Sequence, residues 1–83
     1  MITNVFDVYN KAFAIKDMDT KTPQEIISMF PLQSFNELYM PLFISIQERV
    51  GEDFDTSMTI DETIQMANEE EIEEYVERIL ERI

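Results

Sequence analysis

Residues 68–83 read NEEEIEEYVERILERI and carry the clearest helical pattern in the chain. Apolar residues recur there at steps of three and four, which places them on one face of a helix. They are Ile72, Tyr75, Val76, Ile79, Leu80 and Ile83. Asn68 and Glu71 have the spacing of a capping box, in which each residue's side chain bonds the other's backbone N–H. The stretch therefore predicts an amphipathic helix that starts after Asn68.

Three segments farther upstream predict helices by the same local chemistry. Thr22-Pro23-Gln24-Glu25 combines a capping box with a proline at the first helical position, and Pro31 ends that short helix. Its apolar face is predicted to consist of Ile26, Ile27 and Phe30. Thr59 and Glu62 predict a second short helix from Ile60 to Ala67. A longer helix is predicted from Asn4 to Ile15, with Thr3 or Asn4 as its cap.

Ser34-Phe35-Asn36-Glu37 has the pattern of another capping box. It predicts a helix that starts at Phe35, runs to Val50 and stops at Gly51. Pro41 lies inside this helix, so we expect a kink or a break near Tyr39–Pro41. The segment is almost wholly apolar, and it is either the central helix of the core or a surface for a partner; we favour the core.

These elements predict an all-α fold with a single domain over residues 1–83, a small four-helix bundle with an extra short helix. A chain of 83 residues buries too little surface to enclose a large catalytic cavity as well as a core. This size favours a module that presents a group to other proteins over an enzyme.

The composition narrows the possible functions further. Histidine and cysteine are absent, which excludes a Ser-His-Asp or Cys-His hydrolase and a thiolate metal site. The net charge of −12 disfavours nucleic acid and anionic lipid and favours partners with basic patches. We read Glu52, Asp53 and Asp55 as a solvated acidic turn with no metal. No apolar run reaches the ~20 residues that span a bilayer, and we expect a cytoplasmic monomer.

Residues 26–35 read IISMFPLQSF and carry a resemblance to a known family. In acyl and peptidyl carrier proteins, an Asp-Ser-Leu signature opens the second main helix, with a large apolar residue four positions before the serine. Gln33-Ser34-Phe35 takes the place of that signature here, and Phe30 takes the earlier apolar position. Residues 68–76 are similar to the Ser-Val-x-Asp-Leu-Val-x-Tyr-Ile stretch of the family's last helix. The resemblance covers roughly residues 1–80.

The resemblance implies a carrier without catalytic residues of its own. Ser34 would receive a 4′-phosphopantetheine arm from coenzyme A, and the arm would hold acyl, aminoacyl or polyketide intermediates as thioesters. Fatty acid, polyketide and nonribosomal peptide biosynthesis use such proteins. The implied partners are a phosphopantetheinyl transferase and acyl- or aminoacyl-processing enzymes with basic docking patches. Phe35 and the face formed by Ile26 and Phe30 would border a pocket for the cargo.

The chain departs from the family pattern at two points beside the serine. Gln33 replaces the aspartate, and the distance from Ser34 to Val50 is two residues longer than in the family. Alignment backward from Val50 puts Asn36, which cannot be modified in this way, at the attachment position. Two alternatives therefore stay open: Ser34 is a plain N-cap, or the chain is an armless acidic helical protein that acts as an interaction module.

Overall fold

The computed structural model describes residues 2–51 and 57–83, and in these ranges it contains five helices and no strand. The helices are α1 (Val5–Ile15), α2 (Pro23–Met29), α3 (Leu32–Val50), α4 (Ile60–Met66) and α5 (Glu69–Leu80). The all-α helical bundle predicted from the sequence is confirmed. No helix in the described ranges is long and apolar enough to cross a membrane.

Side-chain caps begin four of these helices where the sequence predicts them. Asn4 accepts a hydrogen bond from the Asp7 N–H at the start of α1. The capping boxes at α2, α4 and α5 have both of their reciprocal bonds, and they pair Thr22 with Glu25, Thr59 with Glu62 and Asn68 with Glu71. Each cap satisfies backbone N–H groups that have no partner inside the helix, and such a cap contributes about 1 kcal/mol.

The core forms where the apolar faces of α1 and α3 meet the apolar face of α5. Its largest fully buried apolar side chains are Tyr9, Phe13, Ile26, Leu42, Ile46, Tyr75 and Ile79. Each such side chain contributes about 1.5–3 kcal/mol when it leaves water. The prediction that α3 belongs to the core is correct for most of its apolar residues. Leu32, Met40 and Ile44 are the exceptions, because Leu32 is 76% exposed and close to half of each of the other two is exposed.

Helix α3 continues through Pro41, which excludes the break and leaves the kink of the two alternatives expected there. Pro41 is exposed, and the carbonyl that its missing N–H would have bonded, that of Glu37, belongs to an exposed residue. Water can hydrogen-bond that carbonyl at little cost, and the buried residues Leu38 and Leu42 hold the helix against the core on both sides of the proline. A kink within the continuous helix stays our prediction.

An ion pair that the sequence does not predict joins the end of α3 to the start of α5. The Arg49 side chain donates to the Glu71 carboxylate with an Nη2–Oε1 distance of 2.9 Å, and its Nη2 also donates to the Met66 carbonyl. Ser45 donates to the same carboxylate over 3.3 Å. Glu71 is only 5% exposed, and its carboxylate also accepts a hydrogen bond from the Asn68 N–H. We call this cluster the Arg49–Glu71 clasp.

Candidate functional site

Ser34 is the third residue of α3, and the prediction that it caps a helix beginning at Phe35 is wrong. The helix starts at Leu32, with Pro31 at the N-cap position and no side-chain cap. The proline explains the difference, because it forces the preceding Phe30 into an extended conformation (φ −122°, ψ 97°). Leu32 and Gln33 are good helix formers, so the helix extends back to the proline and takes Ser34 into its first turn.

The hydroxyl of Ser34 is half-buried and forms no hydrogen bond with any residue that the structure describes. The first backbone bond at this end of α3 runs from the Phe35 N–H to the Pro31 carbonyl, over 2.9 Å. The N–H groups of Leu32, Gln33 and Ser34 therefore have no acceptor in the described part of the chain. They lie at the positive end of a 19-residue helix, where an attached phosphate is electrostatically favoured.

Polar side chains form a short chain of contacts across the solvent side of this first turn. Gln33, the residue in the place of the family's aspartate, donates from Nε2 to Glu37 Oε1 over 3.3 Å. The other oxygen of Glu37 accepts from Arg82 Nη2 over 3.2 Å. Both partners of this ion pair are close to half exposed, so the pair contributes little to stability. It does bring a guanidinium to within one turn of Ser34.

An apolar groove of about 460 Å³ opens where α1, α2, α3 and α4 approach one another. Phe30 and Phe35 line it, as the carrier resemblance implies for residues that border a cargo pocket. The other lining residues are Val5, Phe6, Ile27, Leu32, Thr59, Ile60 and Asp61. We call this space the Phe30–Phe35 groove.

One residue assigned to the groove's border from the sequence is misplaced. Ile26 is fully buried and does not line the groove, whereas Ile27 is 55% exposed and does. The predicted apolar face of α2 is therefore wrong at Ile27. The helix has only seven residues, and its one fully buried position is Ile26. A useful signal was available in the spacing of Ile27 and Phe30, which are three residues apart and so share a side of the helix.

Five more lining residues come from elements that are distant in sequence, so no local pattern predicts them. Val5 and Phe6 come from the start of α1, while Thr59, Ile60 and Asp61 come from the start of α4. Asp61 also accepts a hydrogen bond from the Val5 N–H over 3.1 Å. This bond ties the two helix starts together at the edge of the groove and helps to fix its width.

Ser34 stands beside the groove without lining it. Successive residues of an α-helix are about 100° apart around its axis, so Ser34 is one such step from Phe35 and about 160° from Leu32. The hydroxyl therefore points to a neighbouring side of α3. A flexible group attached to it would have to bend around Phe35 or over the end of the helix to reach the groove. Asn36, the alternative attachment position, is exposed on the other side of Phe35.

A cluster of aromatic rings fills the core behind the groove. The Tyr9 ring stacks on Phe35 at 5.5 Å and meets Phe30 edge-on at 4.9 Å, and its edge also contacts Tyr75 at 6.0 Å. The hydroxyls of Tyr9 and Tyr75 are buried and form no hydrogen bond of ordinary geometry in the described residues, although each is close enough to affect the pKa of the other. Burial raises the pKa of both phenols above the ordinary value, so both stay neutral. The cluster provides a rigid wall for the groove and supplies no acid or base.

The described ranges contain no group of three or more acidic side chains placed to hold a metal ion. The acidic turn at Glu52, Asp53 and Asp55 lies outside the described residues, as does Phe54 in the stretch after Gly51. Comparison with protein families, curated proteins and solved structures finds no significant match to this chain.

Proposed function

We propose that this chain is a carrier protein that holds acyl, aminoacyl or polyketide intermediates on a 4′-phosphopantetheine arm attached to Ser34. The observation that supports it best is the Ser34 hydroxyl, which lies on the first turn of α3 in a half-buried residue and has no hydrogen bond in the described part of the chain. The plain N-cap was the competing explanation for this serine, and Pro31 now occupies that position. An acyl-carrier-like arrangement of the bundle is part of the same proposal.

Attachment of the arm is chemistry that a partner enzyme must perform. The Ser34 oxygen forms a bond to the β-phosphorus of coenzyme A, the pyrophosphate bond breaks, and the nucleotide part leaves as adenosine 3′,5′-bisphosphate. The hydroxyl proton passes to a base of the transferase, since this chain contains no histidine or cysteine to take it. Once bound, the arm supplies a terminal thiol for thioester formation.

The residues around Ser34 fit a phosphodiester at that position. The unpaired N–H groups of Leu32, Gln33 and Ser34 give the phosphate a favourable field. Arg82 is bonded to Glu37, which lies three residues after Ser34, and so brings a positive side chain to this end of α3. Attachment at Ser34 breaks no side-chain hydrogen bond among the described residues.

The Phe30–Phe35 groove fits the apolar part of a cargo. Its lining is almost entirely hydrocarbon, and its volume of about 460 Å³ is in the range of small-molecule sites. Leu32 and Ile27 are 76% and 55% exposed at its edge, so an apolar chain that enters it would cover surface that is now in water. That burial is favourable at about 25 cal/mol for each Å² removed from water.

The test is the intact mass of the purified protein after incubation with coenzyme A, magnesium and a broad-specificity phosphopantetheinyl transferase. Ser34→Ala is the negative variant, and Ser28→Ala is the matched control, because Ser28 is exposed on the neighbouring helix α2. A gain of one phosphopantetheine in the wild type and in Ser28→Ala, but not in Ser34→Ala, supports the proposal. A gain that survives Ser34→Ala overturns the assignment of the serine.

If the wild type gains no mass, either the transferase does not recognise the sequence around Ser34 or the protein carries no arm. A further variant distinguishes these two explanations. Gln33→Asp restores the acid that precedes the serine in the family. If only this variant gains mass, Ser34 is competent for attachment and Gln33 limits the transferase used. If neither the wild type nor Gln33→Asp gains mass, the arm is overturned and the armless interaction module is the remaining interpretation. Circular dichroism of each variant checks that the helices are intact.

A further inference from the structure

A second groove lies between α1 and α5, and it shares no lining residue with the Phe30–Phe35 groove. It consists of two adjoining cavities of about 410 and 310 Å³. Lys11 and Glu73 line both cavities, so the two are neighbours along the helix pair. We call it the α1–α5 groove.

The exposed apolar surface of the α1–α5 groove lies in the smaller of its two cavities. Ile15, Val76 and Leu80 line one cavity, and Ile15 is 57% exposed at the end of α1. Ile64 and Ile72 line the other cavity beside Gln65 and Asn68, but these isoleucines are only 2% and 7% exposed. The aliphatic surface that is open to water is therefore Ile15 together with the half-buried Leu80. An apolar patch of this kind beside charged residues is a surface that one face of an amphipathic helix covers.

One wall of the α1–α5 groove carries a row of carboxylates. Glu69, Glu73 and Glu77 of α5 are four residues apart, which is about 6 Å per step along the helix. All three are exposed, and none forms an ion pair with a residue that the structure describes. Lys11 is the basic residue that lines the groove, and it has no ion pair within the described ranges either.

We propose that the α1–α5 groove binds a basic amphipathic helix of a partner protein. The apolar face of such a helix would cover Ile15 and Leu80, and its lysines or arginines at a spacing of four residues would match the carboxylate row in both sign and period. A second copy of this chain fits poorly, because each copy carries a net charge of −12. An anionic lipid surface fits poorly for the same reason. The proposal does not depend on Ser34 or on an arm.

The first test is binding of a fluorescently labelled synthetic helix of about 18 residues, with leucines on one face and lysines on the other, followed by anisotropy with the full chain. Glu73→Gln combined with Glu77→Gln removes two charges from the wall. The control is Glu70→Gln combined with Glu74→Gln, which changes the net charge equally at exposed positions of α5 outside the groove lining.

We expect the wall variant to bind about five- to tenfold more weakly and the control to change by less than about twofold, as two partly solvated ion pairs would. Equal weakening in both variants overturns the proposal, because it shows attraction to the overall charge alone. Absence of wild-type binding overturns it as well.

A second pair of variants tests the floor of the groove. Ile15→Gln places a polar group on the exposed floor, and Ile44→Gln makes the same change on the outer face of α3, at a residue with 46% exposure. We expect Ile15→Gln to weaken the peptide by about fivefold, since it removes roughly one apolar contact from the interface, and Ile44→Gln to leave the affinity unchanged. The opposite pattern would overturn the α1–α5 groove as the binding surface and assign binding to α3.

Discussion

The beginnings of α3 and α5 have the same pattern in sequence and opposite structures. At α5, Asn68 accepts from the Glu71 N–H over 2.8 Å, the Glu71 carboxylate accepts from the Asn68 N–H over 2.9 Å, and Arg49 closes the cluster from α3. At α3, Pro31 provides no side-chain cap and the Ser34 hydroxyl has no bond in the described residues. The α5 start is closed and holds the bundle together. The α3 start has no side-chain cap and leaves the N–H groups of its first turn without an acceptor in the described residues.

The largest effect on stability should come from a substitution that removes the hydrogen bonds at the start of α5. Glu71→Ala removes the acceptor of Arg49, Ser45 and the Asn68 N–H at once. We expect a loss of about 2 kcal/mol in the free energy of unfolding, which is below the range for a fully buried pair because Arg49 is 41% exposed. Urea unfolding followed by circular dichroism measures it. Glu74→Ala on the exposed side of α5 is the control, and an equal loss there would refute the special role of the clasp.

The hydrogen bonds to Glu71 at the start of α5 should also make the free energy of unfolding depend on pH. Burial raises the pKa of Glu71, but the bonds from Arg49, from the Asn68 N–H and from Ser45 outweigh it and hold the pKa below its ordinary value of 4.5. A lowered pKa in the folded state gives stability that is full above about pH 4.5 and is lost as the pH falls through the folded-state pKa. In urea titrations, the wild type should therefore lose its stability advantage over Glu71→Gln as the pH falls from about 4.5 through the folded-state pKa of Glu71. An advantage that stays constant over this range contradicts the assignment.

Alanine substitutions at the starts of α5 and α3 compare the two helix ends directly. Asn68→Ala removes a working cap and should cost about 1 kcal/mol. Ser34→Ala removes a hydroxyl with no bond in the described residues and should change the free energy of unfolding by less than about 0.5 kcal/mol. Thermal or urea unfolding of the two variants side by side is the measurement. A cost at Ser34 as large as that at Asn68 would mean that the serine supports the fold.

The smallest effect should come from adding a charge at the start of α3. Ser34→Asp places a carboxylate in the first turn of α3, near three N–H groups that have no acceptor in the described residues. We expect stabilisation by about 0.3–1 kcal/mol at low salt, which should shrink as salt screens the interaction. Ser45→Asp, beyond the middle of the same helix and beside the Glu71 carboxylate, should destabilise instead. Destabilisation by Ser34→Asp would argue against a phosphate at this position.

The sequence predicts the helices well because their determinants are local. Three capping boxes and one asparagine cap bring together residues only three apart, and all four are found in the structure. Ser34 and Glu37 have the same spacing but fail as a box, because Pro31 already defines where α3 can begin. The Arg49–Glu71 clasp is not predictable in this way, since its residues are 22 positions apart and meet only after the helices pack.

In the candidate site, too, the residues that lie close together in sequence are predictable and those that meet only in the fold are not. Phe30 and Phe35 are predictable, because they flank the short turn between α2 and α3 and are too large and apolar to remain in water. The other side of the groove comes from the starts of α1 and α4, whose approach depends on the bond between Asp61 and the Val5 N–H. Contacts of this kind follow from the fold and leave no periodic signal in the sequence.

The two buried phenols give the protein a built-in optical reporter of alkaline unfolding. The chain has no tryptophan, so its near-ultraviolet absorbance comes chiefly from three tyrosines, and two of these are Tyr9 and Tyr75. Their raised pKa values mean that the stability due to the neutral phenols is full below about pH 10 and is lost as the pH rises through the folded-state values. The tyrosinate band of these residues should therefore grow in step with the loss of helical circular dichroism, so one spectrophotometric titration follows the opening of the core without any label.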